Sequence, residues 1–393
     1  MCVLTSSLLI SFFIDVVAIG MTNTRLEHGR VKQSVIGRRG FLRWMGLVAV
    51  GSVVSRLGAA SEELASSKPN IIVILTDDQG WADVGAHGQV SDIRTPQLDG
   101  LAASEVRCTA GYITAPQCSP SRAGLLTGRY QQRFGLESIP DTPLPLEQVT
   151  VAERLGGAGY TCGMVGKWHL DPNPTSAKWI AENLPEMAGK PQRQVRIPES
   201  ARLAYSPAAQ GFDEFFQGQM NRYWANYDLT GKDLRCHGEW VNDKRYRLDV
   251  QTEAVLAFIQ RNRSKPFFLY LAYFGPHTPL EATPQYLARF VSPMPVRRRH
   301  ALAMMATIDD GVGRIVARLG EYGLEDRTLI FFTSDNGAPL KMTKPDSAVT
   351  TDPGGWDGSL NDIGQATGRP VVQALFWTER HTYRSLIGRK GPG

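Results

Sequence analysis

Continuous apolar runs of strand length alternate along this chain with segments whose apolar residues recur every three or four positions. That alternation predicts a parallel α/β sheet with helices packed on it. The first run, 70–76 (Asn-Ile-Ile-Val-Ile-Leu-Thr), is rich in β-branched residues and reads as a strand buried on both faces. Thr95-Pro96 opens a predicted helix through 103, with the threonine as cap and the proline in the first turn. A helix over 150–155 is stopped by Gly156-Gly157, and 160–165 gives a further short strand. Residues 249–260 are amphipathic, Lys265-Pro266 breaks them, and 267–274 is again an apolar strand. Residues 299–319 predict a long helix with Leu302, Met305, Ile308, Val312, Ile315 and Leu319 on one face, followed by a strand over 328–333. Between 172 and 239 the pattern blurs into a long Pro-rich and aromatic-rich stretch, expected to be an irregular insertion.

Polar residues gather where the strands end. The 70–76 strand runs into Asp77-Asp78, adjacent carboxylates that repel each other unless a cation or donors compensate, and a hard ion such as calcium suits them. Taken alone, such a pair equally caps a turn. After 160–165 come Gly166-Lys167-Trp168-His169, where a Lys and a His one residue apart in extended chain point the same way. By themselves they read as a surface lysine and a packed histidine. The 267–274 strand leads into Gly275-Pro276-His277-Thr278-Pro279, whose prolines fix the backbone around His277. The 328–333 strand leads into Ser334-Asp335-Asn336-Gly337, whose carboxylate and amide carbonyl complete an all-oxygen set with Asp77 and Asp78. Asp309-Asp310 falls inside the long helix and reads as a helix feature, not a metal site. Parallel α/β sheets bind ligands at this carboxyl edge.

The stretch Cys118-Ser119-Pro120-Ser121-Arg122 joins a potential nucleophile to a helix start. Its proline favours a first turn whose unpaired N–H groups attract an anion, and Arg122, one turn on, is a permanently charged planar donor suited to sulfate or phosphate. A buried structural cysteine is the plain alternative for Cys118 by itself. With Leu126-Thr127-Gly128-Arg129 behind it, and with Lys68-Pro69-Asn70 leading to Asp77-Asp78-Gln79-Gly80, the run resembles the signature of the type I sulfatases, of arylsulfatase and N-acetylgalactosamine-6-sulfatase type.

The resemblance implies an alkaline-phosphatase-like α/β/α sandwich with a mostly parallel central sheet, and hydrolysis of a sulfate ester on a carbohydrate or aryl group. It implies that a maturation enzyme oxidises Cys118 to formylglycine (3-oxoalanine), whose hydrate attacks sulfur. It further implies one Ca2+ held by Asp77, Asp78, Asp335 and Asn336, and catalytic roles for Arg122, Lys167, His169 and His277. Lys167 would bind sulfate, His169 a hydroxyl of the hydrated aldehyde, and His277 the leaving-group side. A phosphoester or phosphonate hydrolase of the same superfamily is the nearest rival, and a relic that binds metal or sulfated glycan without turnover is another. Tyr223, Trp224, Tyr227 and Trp240 then either stack on sugar rings or pack the insertion onto the body.

Composition and the chain ends refine this picture. The 393 residues carry a formal charge of +5, but residues 1–60 hold seven Arg and Lys against two acids, so the remainder is neutral. A neutral body argues against nucleic-acid binding, and the 297–300 basic cluster reads as a solvated helix start. Arg38-Arg39-Gly40-Phe41-Leu42-Arg43 before a weakly apolar run resembles a bacterial twin-arginine signal, with cleavage near Ala60 and export to the periplasm or beyond. The membrane is then met only in transit. An earlier apolar run, 3–19, reads as a start codon placed too far upstream, with a short membrane anchor as the alternative. Cys108, Cys162 and Cys236 make no disulfide framework, and the Asn262-Arg263-Ser264 sequon carries no weight in an exported bacterial protein. The expected organisation is a leader over 1–60, a catalytic domain over 61–362, and a tail over 363–393 that departs from the family pattern. The C-terminal subdomain is missing from that tail, and Lys341, Lys344 and Lys390 do not stand where a second sulfate-binding lysine belongs. A reading-frame error beyond Asp362, leaving the chain incompetent as written, is the expectation.

Overall fold

The 70–76 run forms β1 (Asn70–Thr76), buried along its whole length at the middle of the sheet. In this computed structural model the described residues are 68–338, apart from 105, 109, 110, 219 and 292, together with three short strand segments, Leu4–Thr5, Val371–Val372 and Leu375–Trp377. The twin-arginine segment, the 3–19 run as a whole, Lys341, Lys344, Lys390 and the remainder of the 363–393 tail lie outside the described residues. Among the described residues no helix is long and apolar enough to cross a membrane.

The other strands of this sheet are β2 (Val106–Arg107), β3 (Thr161–Gly166), β4 (Glu214–Gly218), β5 (Arg222–Ala225), β6 (Glu239–Asn242), β7 (Phe267–Ala272), β8 (Thr328–Ser334) and β9 (Leu375–Trp377). They make a nine-stranded sheet in the order β2-β9-β8-β1-β7-β3-β4-β5-β6. The five central strands, β8 to β4, are parallel, and both flanks are antiparallel. Ile72, Ile74, Leu269, Leu271, Ile330 and Phe332 enter one apolar core, and their alternate neighbours Ile71, Val73, Phe268 and Tyr270 are equally buried on the other face. Burial on both faces is why these strands read as unbroken apolar runs.

Five helices cover the sheet: α1 (Pro96–Ser104), α2 (Cys118–Thr127), α3 (Val151–Gly157), α4 (Arg247–Asn262) and α5 (Val296–Glu321). Residues of α1, α4 and α5 share the core of Ile72 and Ile74. On the opposite face Cys162 in β3 donates to the Ala152 carbonyl of α3, and Phe212 stacks on Phe268. Helix α3 begins with a capping box, Thr150 and Glu153 each bonding the other's backbone N–H, as its sequence anticipates.

Several expectations change. The 172–239 stretch is not an irregular insertion, because β4 continues the parallel sheet beside β3, and β5 with most of β6's hairpin extends it. Only Phe215-Phe216 is apolar in β4, too short a signal for periodicity. The 267–274 strand stops at Ala272. Thr95 does not cap α1: its hydroxyl donates to Asp99 and accepts from the Gly85 N–H, while the carboxylate of Asp309, deep in α5, accepts from Gln97 and Leu98 N–H at 3.1 and 2.9 Å. Arg297 and Arg298 are buried, not solvated. Arg298 bridges Asp83 (2.8 Å) and Asp92 (2.7 Å), fastening the segment after β1 to the start of α5. Asn262 is fully buried with its amide on Glu214 and Phe258, so its sequon is a helix-end contact. Cys108, Cys118 and Cys162 are buried and Cys236 is exposed, and none of the four is in a disulfide.

Candidate active site

Each candidate residue stands beyond the end of a parallel strand or within the first two turns of α2. Backbone bonds carry the ladder past the strand ends: Asp335 N–H to Thr76 O at 3.0 Å, Asp77 N–H to Gly275 O at 3.0 Å, and Lys167 N–H to Ala272 O at 2.8 Å. These bonds bring Asp77, Lys167 and Asp335 to one edge. Gly166 makes the turn into Lys167 possible, since it sits at φ 98° and a Cβ there would overlap the Ala272 carbonyl oxygen.

Three carboxylates and two cations meet at the centre. Lys167 Nζ lies 2.5 Å from Asp77 Oδ2. Arg122, fully buried, reaches Asp335 Oδ2 through Nε at 3.0 Å and Nη2 at 2.7 Å, and its Nη1 donates to the Lys167 carbonyl at 2.6 Å. Nη2 is also 3.4 Å from Asp77 Oδ1. Asp78 N–H donates to Asp335 Oδ1 at 3.2 Å, and Asn336 Nδ2 donates to Asp78 Oδ1 at 2.6 Å. Cys118 is the first residue of α2, buried, with its thiol donating to Asp77 Oδ1 at 3.4 Å. Ser119 ties that helix start to the loop after β3 by donating to the His169 carbonyl at 2.8 Å.

The two histidines differ. His277 is half-buried, with Nε2 3.6 Å from Asp78 Oδ2 and Nδ1 2.5 Å from the Thr278 carbonyl. His169 is not extended as expected: β3 has already ended, and His169 takes φ 60°. Asp78 shares that left-handed conformation, costly for residues other than Gly, Asn or Asp and common at functional sites. His169 Nδ1 is buried without a hydrogen-bond partner.

Burial and charge set the protonation states. Burial works against the Asp77 anion, but Lys167 and Arg122 outweigh it and hold the carboxyl well below the usual range. Burial and the Asp77 charge push Asp78 up, and carry Asp335 up to about 8. Burial, helped by the charges on Asp335 and Asp77, raises the Cys118 thiol, so this is no preformed thiolate. His169 is held down to about 3 by burial and by Lys167 and Arg122.

These residues fit a calcium ion. With all three carboxylates ionised, two fixed cations leave the centre one charge short of neutral. Asp77, Asp78, Cys118 and His277 each bring one ligand atom within 4.8 Å of the others. Asn336 Oδ1 is buried and unpartnered beside them, an acceptor with nothing to accept. Asp335 Oδ1 takes the Asp78 amide, yet a carboxylate oxygen has a second lone pair for a cation. Oxygen donors dominate the set, as a hard cation requires.

The expected residues Cys118, Arg122, Lys167, His277, Asp77, Asp78, Asp335 and Asn336 therefore converge, and His169 lies beside them. Sequence reasoning missed Phe274, whose ring centroid is 5.5 Å from Lys167 Nζ and 4.6 Å from the Arg247 guanidinium. Nothing marked it, because it closes an apolar run and looks like core. Gln79 has no role in the sequence reading; it accepts from Thr76 and donates its N–H to Ser334 Oγ, bracing the segments that follow β1 and β8.

Comparison with known proteins accords with this edge. The sulfatase family model matches residues 69–362. Arylsulfatase J of Mus musculus is 30% identical over 83% of this chain and 52% of its own length. N-acetylgalactosamine-6-sulfatase of Mus musculus is 33% identical over 73% of this chain and 54% of its own. The chain thus spans about half the length of the curated relatives it matches. Among solved structures, Ps i-CgsB in complex with k-i-k-neocarrahexaose superposes with a TM-score of 0.58 at 28% identity, covering 83% of this chain and 73% of the other. Since the family match takes in every strand that delivers a site residue, the chain belongs to the sulfatase family.

Proposed function

We propose that the protein hydrolyses sulfate esters of a sulfated carbohydrate, using residue 118 as a formylglycine and one calcium ion held by Asp77, Asp78, Asp335 and Asn336. The observation that carries this reading is Cys118 itself, buried at the first turn of α2 and 3.4 Å from a carboxylate that Lys167 and Arg122 already face. The names of the relatives support sulfate, and N-acetylgalactosamine-6-sulfatase supports a sulfated sugar.

As a hydrated aldehyde, residue 118 supplies an oxygen nucleophile, and calcium supplies positive charge where sulfate oxygens gather. The chain's own groups do the rest. Lys167 has three donors and uses one on Asp77, leaving two for sulfate oxygens. Arg122, locked on Asp335, contributes a fixed positive field without reorganising. His169, held neutral, offers an unpartnered Nδ1 that takes a proton from the 118 side. His277, whose Nδ1 faces the Thr278 carbonyl and whose Nε2 lies 3.6 Å from Asp78 Oδ2, is the group that would protonate the leaving oxygen.

Oxidation of Cys118 by a maturation enzyme has to precede its burial, and the twin-arginine-like leader would then export the folded product. Two measurements test the reading on one preparation: the mass of the tryptic peptide containing residue 118, and turnover of 4-nitrophenyl sulfate against 4-nitrophenyl phosphate. Formylglycine with preferential sulfate release supports it. An unmodified thiol together with phosphate preference replaces it by the phosphoester reading.

A further inference from the structure

A cavity of about 130 Å3 is lined by residues that include Gln217, Trp224, Trp240, Arg222, Asp171 and Arg202. A void of that size takes one six-membered ring. Its position is fixed by the sheet register. Gln217 in β4 pairs with Gly166 in β3, the residue immediately before Lys167, and Asp171 follows His169 by two residues. Adjacent strands are about 5 Å apart. Two of the cavity's lining residues thus come from the segments beside and just after the strand end that delivers Lys167.

The four aromatics of the 223–240 stretch divide. Tyr223 and Tyr227 are fully buried in the core, whereas Trp224 and Trp240 are partly exposed in the cavity wall, edge to face at 5.2 Å. The Arg222 guanidinium lies 3.8 Å from the Trp240 ring centroid, and among the described residues it has no carboxylate at ion-pair distance. By contrast Arg202 is taken by Asp171 at 2.9 Å, and the Trp240 indole N–H by Glu199 at 3.0 Å. Gln217 Oε1 is buried with no hydrogen-bond partner. The wall thus combines partly exposed indole surface for a pyranose, an unused acceptor for a hydroxyl, and one planar cation that no carboxylate holds directly, with Glu199 also in the lining.

We propose that this cavity is a subsite for the sugar next to the sulfated one, and that Arg222 reads an anionic group on that neighbour, a carboxylate or a second sulfate. The proposal rests on the sulfatase reading above. It makes the substrate an anionic oligosaccharide rather than a lone sulfated monosaccharide, and it makes Arg222 and Trp240 determinants of specificity.

The test presents the purified full chain, and its Arg222→Ala, Arg222→Lys and Trp240→Phe variants, with an array of neutral, uronate-bearing and sulfated glycans from monosaccharide to tetrasaccharide. The parent should retain anionic oligomers over the matching monosaccharides, and Arg222→Ala should lose that preference by about tenfold, the scale of one charge-assisted contact. Arg222→Lys should restore part of it, and Trp240→Phe should weaken oligomers of both anion types alike. Loss confined to uronate-bearing or to sulfated neighbours identifies which anion is read. A parent without length preference, or a preference that survives Arg222→Ala, overturns the subsite. Arg222 is exposed, and a thermal melt of each variant checks folding separately. Turnover of 4-nitrophenyl sulfate by the parent scores the catalytic reading independently, since that probe has no second sugar.

Discussion

Arg122 and Asp335 come from α2 and the end of β8, yet they meet with no solvent contact, Nε and Nη2 both on Asp335 Oδ2. Removing one partner of a buried pair strands the other charge and costs about 3–5 kcal/mol. Arg122→Met should therefore lower the unfolding free energy measured in urea by that much, and adding Asp335→Leu should recover most of the loss. A single variant as stable as the parent would show that the pair is not the brace the distances describe.

Cys118→Ala removes the proposed nucleophile while keeping a small residue that a helix start accepts. Aryl sulfate turnover should vanish with the thermal melt intact. Residual kcat/KM within about tenfold of an active parent would rule out covalent catalysis at this position.

Asp77→Asn with Asp335→Asn takes two carboxylates from the candidate calcium set. Affinity measured by calorimetry should fall by orders of magnitude, because charge count sets calcium affinity. Unchanged affinity would move the ion elsewhere.

Asp309 offers a pH test away from the site. Burial raises its carboxyl to about 6, against about 3.9 unfolded, although the N–H groups of Leu98 and Gln97 oppose the shift. Between those values the folded state keeps a proton that the unfolded chain releases, so this group's stability contribution declines as pH rises from 4 to 6. By pH 7 the decline should reach about 3 kcal/mol, and Asp309→Asn should lack it. Denaturant titrations at several pH values check this, and a parent-minus-variant difference that stays flat would sink the assignment.

What the sequence disclosed follows from where its signals are local. Asn70–Thr76 was legible to the residue because burial on both faces leaves no polar position inside it, and the residues after four such runs formed the site. Arg298 was misread because its partners Asp83 and Asp92 lie more than two hundred positions away, and a charged triplet looks solvated until the chain closes on it. Asp309 reads from sequence as a helix feature, but its task, capping a helix from another part of the chain, has no local mark. Trp224 and Tyr223 are neighbours in sequence, and only the pleat separates cavity wall from core.

The backbone bonds that run past the strand ends have a consequence for how this protein can change over time. The site residues at the strand ends hold their places by counting from a shared ladder, so substitutions alter one side chain while a single-residue deletion inside β1 or β8 would turn the later side chains of that strand to the opposite face. Length variation is therefore excluded from the strands and left to the segments that join them, such as the 172–213 connection. Lineages of this fold can diversify what they recognise by lengthening those connections, but the chemistry at the edge stays in step with the ladder's count.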